Sequence, residues 1–163
     1  MSLSTTLRRP VNPAVTPRAV VWSTFVLTLI GIGLSSYLTY VHYVASSALI
    51  CPANGVIDCA SVITGPYSSA FGIPFALLGL GFFVGMAVLC SPWAWAQAVA
   101  WPHLARLVGA CTGALFICYL IYIEFVVKDH ICLWCTGVHL CTFVLFVLCV
   151  TSVPKVLSES VED

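Results

Sequence analysis

Residues 131–153 have the sequence ICLWCTGVHLCTFVLFVLCVTSV, and this stretch decides the fold. It contains no Asp, Glu, Lys or Arg, and a run of about 20 apolar residues is long enough to cross a bilayer as a helix. The run opens with Cys132 and Cys135, which would share one helix face. A helix N-terminus stabilises a thiolate placed there. The stretch therefore predicts a membrane-spanning helix that begins with a redox-competent cysteine pair.

The composition of the whole chain agrees with a membrane protein. Of its 163 residues, 61% are hydrophobic and 7% are charged, whereas soluble domains have about 25% charged residues. The formal net charge is zero and no basic patch is present, so nothing indicates nucleic-acid binding. Four apolar stretches stand out, at 20–44, 71–89, 104–127 and 131–153. We therefore expect an all-α fold, a polytopic four-helix bundle in a lipid bilayer.

The distribution of Lys and Arg predicts the orientation of the bundle. One side of the predicted spans carries Arg8, Arg9, Arg18, Arg106 and Lys155, and the other side carries Lys128. Positive residues favour the cytoplasmic side, so both termini are predicted to be cytoplasmic and the loop after the first span extracytoplasmic. We expect a cytoplasmic tail at 1–19, a transmembrane domain at 20–153 and a second cytoplasmic tail at 154–163, in the inner or plasma membrane of the cell.

A second pair of cysteines, Cys51 and Cys59, lies in the loop that follows the first span. Pro52, Asn54 and Gly55 lie between them, and these residue types turn the chain back on itself, so the two cysteines can meet. Taken alone, the pair is best interpreted as a structural disulfide that contributes about 2–3 kcal/mol. Together with the CxxC pair on the same membrane face, it predicts a relay in which a thiolate of one pair attacks the other.

The same four cysteines could instead form a Cys₄ site in a metal-binding membrane protein that is not an enzyme. The loop cysteines are more widely spaced than usual structural zinc pairs, and no second CxxC motif exists, so we predict no metal site. The other cysteines lie within or at the inner ends of the spans, where free cysteine behaves as a small apolar residue. We predict packing roles for Cys90, Cys111, Cys118, Cys141 and Cys149.

The chain resembles the vitamin K epoxide reductase family in its bacterial branch. The residues that carry the resemblance are CPANGVIDC at 51–59, FGIP at 71–74 and CLWC at 132–135, and the likeness extends over about 24–150. It implies a four-helix bundle around a quinone, either menaquinone or ubiquinone, that accepts electrons. It further implies that Cys51 meets an external thiol, that Cys59 exchanges with Cys132, and that Cys135 lies beside the quinone.

The resemblance also implies a function, that of a DsbB-like thiol:quinone oxidoreductase. Such an enzyme re-oxidises a thioredoxin-fold thiol oxidase resembling DsbA and thereby supports disulfide bond formation in exported proteins. Many bacterial relatives carry a thioredoxin-like domain after the bundle, whereas this sequence ends at Asp163, so a separate partner protein is expected. Dithiol-driven reduction of vitamin K epoxide or a naphthoquinone would use the same cysteines, and the sequence does not separate the two reactions.

Further residues are candidates for contacts with the quinone. His139 follows Cys135 by four residues, so it shares a helix face with that thiol and is predicted to hydrogen-bond or protonate the quinone. The alternative is a polar residue bonded to a neighbouring helix. Phe71 and Phe75 are predicted walls of the quinone pocket, although core packing explains aromatic residues equally well here. Glu124 lies near the outer end of the third apolar stretch, where the simplest interpretation is that it reaches water.

The chain departs from the family pattern at two places. The family often has two serines shortly after the second loop cysteine, whereas this chain has Thr64 and Gly65. A hydroxyl that orders the loop would therefore remain only on Thr64. Some members have a tyrosine four residues after the CxxC motif, where this chain has His139.

Overall fold

Four long helices run up and down through the molecule in the computed structural model, which describes residues 7–44, 51, 57–65, 68–70 and 72–158. These helices are α1 (Arg18–Tyr43), α3 (Phe75–Leu89), α5 (Ala100–Tyr122) and α6 (Leu133–Ser158). The short elements between them are α2 (Cys59–Thr64), β1 (Ser69–Ala70), β2 (Ile73–Pro74) and α4 (Pro92–Trp95). Both α1 and α5 pack against α3 and α6, which closes the bundle. The predicted all-α bundle is confirmed at this level.

Among the described residues, three helical segments are long and apolar enough to cross a membrane, namely Arg18–Tyr43, Ala100–Lys128 and Leu133–Ser158. The remaining long helix, α3, has 15 residues. At 1.5 Å per residue it measures about 22 Å, which is less than the bilayer core of about 30 Å.

The apolar stretch at 71–89 is longer than α3 because Ile73 and Pro74 form strand β2 before the helix begins. Gly72 has a φ of 80°, and strand β1 pairs with β2 in antiparallel register, with Ser69 opposite Pro74. A positive φ is readily adopted by glycine, which has no Cβ. The chain therefore turns at Gly72, and α3 begins only at Phe75.

The hydrophobic core divides between the two ends of the bundle. At one end, which we call the cysteine end, Leu38, Val41 and Ile63 surround Cys59 and Cys132. The opposite end, which we call the arginine end, has a separate cluster that includes Met86, Cys90, Trp95, Cys149 and Val153.

The arginine end is held together by Arg106, whose side chain is completely buried. Its Nε and one Nη donate to the carbonyl oxygen of Leu89, at 2.9 and 2.5 Å. Its other Nη donates to Nδ1 of His103 at 2.9 Å, and the guanidinium lies 3.6 Å from the centre of the Trp95 ring. Leu89 is the last residue of α3, so a cation here also offsets the negative end of the helix dipole.

Parts of both chain ends pack onto the arginine end. Val11 is 1% exposed, and its N–H donates to the carbonyl oxygen of Ala98 at 3.2 Å. Helix α6 continues through Pro154 to Ser158, and Val156 on this last turn is completely buried. Segments that the sequence assigned to tails therefore contribute to the core.

The cysteines outside the two predicted pairs occupy different environments. Cys90, Cys141 and Cys149 are buried, which confirms their predicted role in packing. Cys111 is half-buried. Cys118 is exposed on α5, so the prediction of a packing role is wrong for this residue; a residue on the outer face of a bundle helix has no neighbouring helix to contact.

Candidate redox site

The loop cysteines are joined in a disulfide between Cys51 and Cys59, with Cα atoms 6.2 Å apart. Cys59 is the first residue of α2, and Asp58 caps this helix by accepting the N–H of Ser61 at 3.1 Å. Cys59 is 1% exposed, whereas Cys51 is half-buried. The predicted meeting of the two cysteines is confirmed, while the predicted turn at 52–55 lies outside the described residues.

A short backbone pairing joins the cysteine loop to the start of α6. Ile57 and Ile131 form a parallel β-bridge, and the N–H of Asp58 donates to the carbonyl oxygen of Ile131 at 3.3 Å. Cys59 and Cys132 follow directly on these paired segments, and both are buried in the same hydrophobic cluster. Cys51 and Cys135 pack against that cluster as well, so the structure brings all four cysteines together at the cysteine end.

Cys132 and Cys135 are free thiols at the start of α6. Cys132 immediately precedes the first helical residue, Leu133, and its Sγ accepts the backbone N–H of Cys135 at 3.3 Å. Hydrogen bonds from the side chain and backbone of Cys135, and from the backbone of Trp134, lower the pKa of the Cys132 thiol. The predicted position of Cys132 at a helix start is thus confirmed, with a backbone N–H directed at its sulfur.

A cavity of about 270 Å³ extends from this cysteine pair between the helices. Small-molecule pockets commonly measure about 300–1,000 Å³, so this space suits a single ring system better than a large ligand. Most of its lining is apolar or aromatic and includes Leu38, Val62, Ile63, Leu78, Phe82, Phe83, Phe116, Ile117, Leu120 and Val138. Polar side chains on its wall include Ser35, His42, Ser68, Glu124, Lys128, Cys135 and His139.

Two of the three predicted quinone contacts lie on this cavity. His139 is 7% exposed and lines the cavity together with Cys135. Phe75 also lines it, and its ring packs edge-on against Phe116 with centroids 5.7 Å apart. Phe71 lies outside the described residues. The cavity therefore has a thiol, an imidazole and aromatic rings on its wall.

The sequence did not identify Glu124 as part of this site. Glu124 is 4% exposed and lines the cavity, so the prediction that it reaches water is wrong. Its carboxylate accepts a hydrogen bond from the backbone N–H of Cys132 and contacts the thiol of Cys135. A single acidic residue within an apolar membrane-spanning stretch was the signal available in the sequence, because such residues are rare and commonly functional.

Lys128 is another residue of the site whose role was not predicted from the sequence, where it served only to predict the orientation of the bundle. Its Nζ donates to the carbonyl oxygens of Ser61 and Val62, at 2.7 and 3.0 Å. These carbonyls belong to α2, which starts with Cys59, so Lys128 holds the cysteine loop against the end of the third span.

Thr64 and Gly65, which stand where the family often has two serines, have different surroundings. The Thr64 hydroxyl donates to the carbonyl oxygen of Ala60 at 2.8 Å, within its own helix. A Cβ added at Gly65 would overlap both the Ser61 carbonyl oxygen and the Nζ of Lys128. Glycine at this position therefore leaves space for the lysine.

The geometry does not favour the zinc alternative. The disulfide between Cys51 and Cys59 occupies two of the four sulfurs that a Cys₄ site requires. Within the described part of the chain, no group of three or more His, Cys, Asp or Glu side chains is placed to hold a metal ion.

Comparison with protein families matches residues 22–150 to the vitamin K epoxide reductase family. The matched region includes all four cysteines of the site, most of the bundle and every described residue of the cavity wall named above. Because the match covers more than half of the chain, the chain belongs to the vitamin K epoxide reductase family, and this membership identifies it as a membrane-embedded oxidoreductase.

Proposed function

We propose that this protein is a thiol:quinone oxidoreductase that re-oxidises a separate, DsbA-like thioredoxin-fold protein and passes the electrons to a membrane quinone. In this role it supports disulfide bond formation in exported proteins. The observation that carries the proposal is the meeting of three features at the cysteine end: the Cys51–Cys59 disulfide, the free thiols of Cys132 and Cys135, and an apolar cavity on which Cys135 lies.

The exposure of the sulfurs supports an order of exchange. A partner thiolate attacks the half-buried Cys51, which releases Cys59 with the electron pair. Cys59 then attacks Cys132 when that residue is in a disulfide with Cys135, and the electron pair passes to the Cys135 sulfur. The second thiol of the partner attacks the partner–Cys51 disulfide, which leaves the partner oxidised and frees the Cys51 thiolate. Cys51 then attacks Cys59 in the Cys59–Cys132 mixed disulfide, which restores the loop disulfide and leaves Cys132 and Cys135 as thiols.

The cavity supports a quinone ring as the molecule next to Cys135. Its apolar and aromatic lining, with few polar groups, matches a flat molecule whose polarity is confined to ring oxygens. A quinone bound there would supply a two-electron, two-proton acceptor. Phe75 would pack against the ring, and the imidazole of His139 would hydrogen-bond a ring oxygen. These contacts suit menaquinone and ubiquinone alike.

The distribution of charges supports a location in the cell membrane with both termini, at 1–19 and 154–163, in the cytoplasm. The predominance of Lys and Arg at the arginine end favours this end as the cytoplasmic one. The cysteine end then faces the extracytoplasmic side, where disulfides persist.

Reconstitution tests the proposal. The purified protein, in nanodiscs containing menaquinone or ubiquinone, receives electrons from a reduced DsbA-like protein, and the disappearance of partner thiols is followed. We expect turnover by the native chain and by Cys118→Ala, because Cys118 is exposed on α5, and no turnover by Cys135→Ala. Undiminished turnover by Cys135→Ala would refute the assignment. Turnover with vitamin K epoxide and dithiothreitol but with neither quinone would favour the epoxide reductase instead.

A further inference from the structure

Glu124 lies in an unusual piece of backbone at the cysteine end. The segment Ile123–Lys128 is a π-helical turn, and the carbonyl oxygen of Glu124 accepts the N–H groups of Asp129 and His130. Asp129 ends the turn with a φ of 53°, in the left-handed region. π-Helical turns are rare and often occur at functional sites, because the extra residue in the turn redirects the side chains around it. Here the turn accompanies a carboxylate that lies on the cavity.

The surroundings of this carboxylate come chiefly from the redox pair. It accepts the backbone N–H of Cys132 and contacts the Cys135 thiol, and it is 4% exposed. Lys128 is near enough to attract it, but the lysine Nζ donates to the two α2 carbonyl oxygens. Of the other titratable groups on the cavity wall, the His42 imidazole donates from Nδ1 to the Ile63 carbonyl oxygen at 2.8 Å. His139, the remaining imidazole, lies one helical turn beyond Cys135.

A buried carboxylate is stable only while hydrogen bonds compensate its charge. In the structure Cys135 is a free thiol with a single S–H, and two acceptors lie within its reach, the Cys132 sulfur and the Glu124 carboxylate. The S–H can therefore donate to Glu124 as long as Cys135 is reduced. When Cys135 enters a disulfide with Cys132, it loses this proton and can no longer donate. The carboxylate then keeps the backbone N–H of Cys132 as a donor but loses the thiol, which favours uptake of a proton by the carboxylate itself.

We infer that Glu124 is a catalytic acid–base group, which protonates the Cys135 sulfur when the Cys132–Cys135 disulfide is reduced and takes the proton back when it is re-formed. The inference rests on the proposed function, because it assigns a proton path to the exchange between the two cysteine pairs.

Reduction of the Cys132–Cys135 disulfide by the two loop thiols takes two steps. The Cys59 sulfur bonds to Cys132, the bond between Cys132 and Cys135 breaks, and the electron pair stays on Cys135, which takes the proton of Glu124. Cys51 then bonds to Cys59, and Cys132 leaves with an electron pair and takes one of the two protons that the loop thiols carried. The second loop proton goes to water, and Glu124 is left as a carboxylate. This final state has the loop disulfide and the free thiols that the structure contains.

Redox-difference infrared spectroscopy of the full chain tests this inference directly. The protein in nanodiscs without quinone is oxidised with diamide and reduced with dithiothreitol, and the carbonyl band of a protonated carboxyl group is followed. We expect this band in the oxidised protein and its loss on reduction, with a frequency shift in D₂O. The band should be absent from Glu124→Gln, shifted in Glu124→Asp, and unresponsive to reduction in Cys135→Ala.

Asp129→Asn supplies the matched control. It removes an exposed carboxylate at the end of the same turn, and asparagine tolerates the left-handed backbone there. This variant should keep the redox-dependent band. A band that persists in Glu124→Gln would overturn the inference. The inference would also be overturned if, in the native protein, the S–H band of Cys135 responded to reduction while no carboxyl band changed. This second outcome does not depend on the folding of any variant.

The kinetic consequence is measured separately. Stopped-flow reduction of the Cys132–Cys135 disulfide should be about 100-fold slower in Glu124→Gln, the lower range for loss of an acid–base group, and partly restored in Glu124→Asp. An unchanged rate in Glu124→Gln would overturn the inference. Diamide and dithiothreitol replace both the quinone and the partner, so this experiment does not depend on the proposed function. A carboxyl band that follows the thiols here, in a protein that fails to reduce quinone in the separate reconstitution, would refute the proposed acceptor and support the role of Glu124.

Discussion

Each end of the bundle contains a pair of free cysteines whose side chains are in contact, and yet the two pairs have different surroundings. At the cysteine end, Cys132 and Cys135 lie at a helix start, next to a loop disulfide and a cavity. At the arginine end, the thiols of Cys90 and Cys149 contact each other, but the cavity is lined by neither of them. We therefore expect redox chemistry only of the pair at the cysteine end, because redox chemistry also requires access for the groups that donate and accept electrons.

The buried charged side chains at the two ends also have different kinds of partners. Arg106 is bound on several sides, by the Leu89 carbonyl, by His103 and by the face of Trp95. Glu124 instead contacts the backbone of Cys132 and the thiol of Cys135, the pair whose protonation would change in the proposed reaction. We therefore interpret the arginine end as a fixed support and the cysteine end as the place of the proposed exchange of bonds and protons.

The largest difference between the ends should appear when one cysteine of each pair is changed. Cys132→Ser removes the sulfur that receives electrons from the loop, so quinone reduction by a dithiol should fall by about 1,000-fold or more. Cys149→Ser, its counterpart at the arginine end, should alter turnover by less than about threefold. Steady-state turnover of both purified variants checks this prediction, and comparable losses in the two would contradict the distinction between the ends.

The free energy of unfolding should depend strongly on the buried arginine at the arginine end. Arg106→Met leaves the Leu89 carbonyl and His103 without their donor in a buried environment, so unfolding should become easier by about 3 kcal/mol. Arg18→Met, which removes an exposed charge from the start of α1, should change stability by less than about 0.5 kcal/mol. Thermal unfolding in detergent provides the comparison. Equal melting temperatures for Arg106→Met and Arg18→Met would show that the contacts of Arg106 do not stabilise the fold.

The two buried histidines offer a finer comparison. His139→Phe at the cysteine end should raise the KM for quinone by about tenfold with little change in stability, because one hydrogen bond to the ring is lost. His103→Phe at the arginine end should lower the melting temperature and leave the KM unchanged, since His103 bonds Arg106 and the Gln97 carbonyl. A KM that rises equally in both variants would place His139 outside the quinone site.

The smallest effect is expected from the lysine that holds the cysteine loop. Lys128→Met removes two hydrogen bonds to the end of α2 and should slow exchange between the cysteine pairs about threefold. Lys155→Met removes an exposed charge near the other end of the bundle and should have no effect on this step. Rapid-quench alkylation, which traps each thiol state in time, measures the rate, and an effect of Lys155→Met as large as that of Lys128→Met would indicate a general effect of charge.

Much of the fold follows from local patterns in the sequence. Long apolar runs predict α1, α5 and α6, and the CxxC motif at the head of the last run predicts the position of Cys132 at a helix start. The second run predicted a helix that starts too early, because hydropathy does not report the turn at Gly72. After this turn, Ile73 and Pro74 pair with strand β1 before α3 begins.

The site could be predicted only in part, because several of its side chains depend on contacts distant in sequence. From the sequence Arg106 served only to predict the orientation of the bundle, because the Leu89 carbonyl and the Trp95 ring that surround it lie elsewhere in the chain. Glu124 likewise becomes part of the site only through the π-helical turn that accompanies its contact with the start of α6. Hydropathy and motif spacing contain no information on either contact.

The relay between the cysteine pairs is the central claim, and trapping its intermediate tests it most directly. In the double variant Cys51→Ala/Cys135→Ala, both resolving sulfurs are absent, so a bond between Cys59 and Cys132 would accumulate under mild oxidation. Peptide mass spectrometry should find Cys59 linked to Cys132 in most of the folded protein. Folded protein in which both thiols stay reduced, or in which Cys59 bonds to another cysteine, would contradict the account.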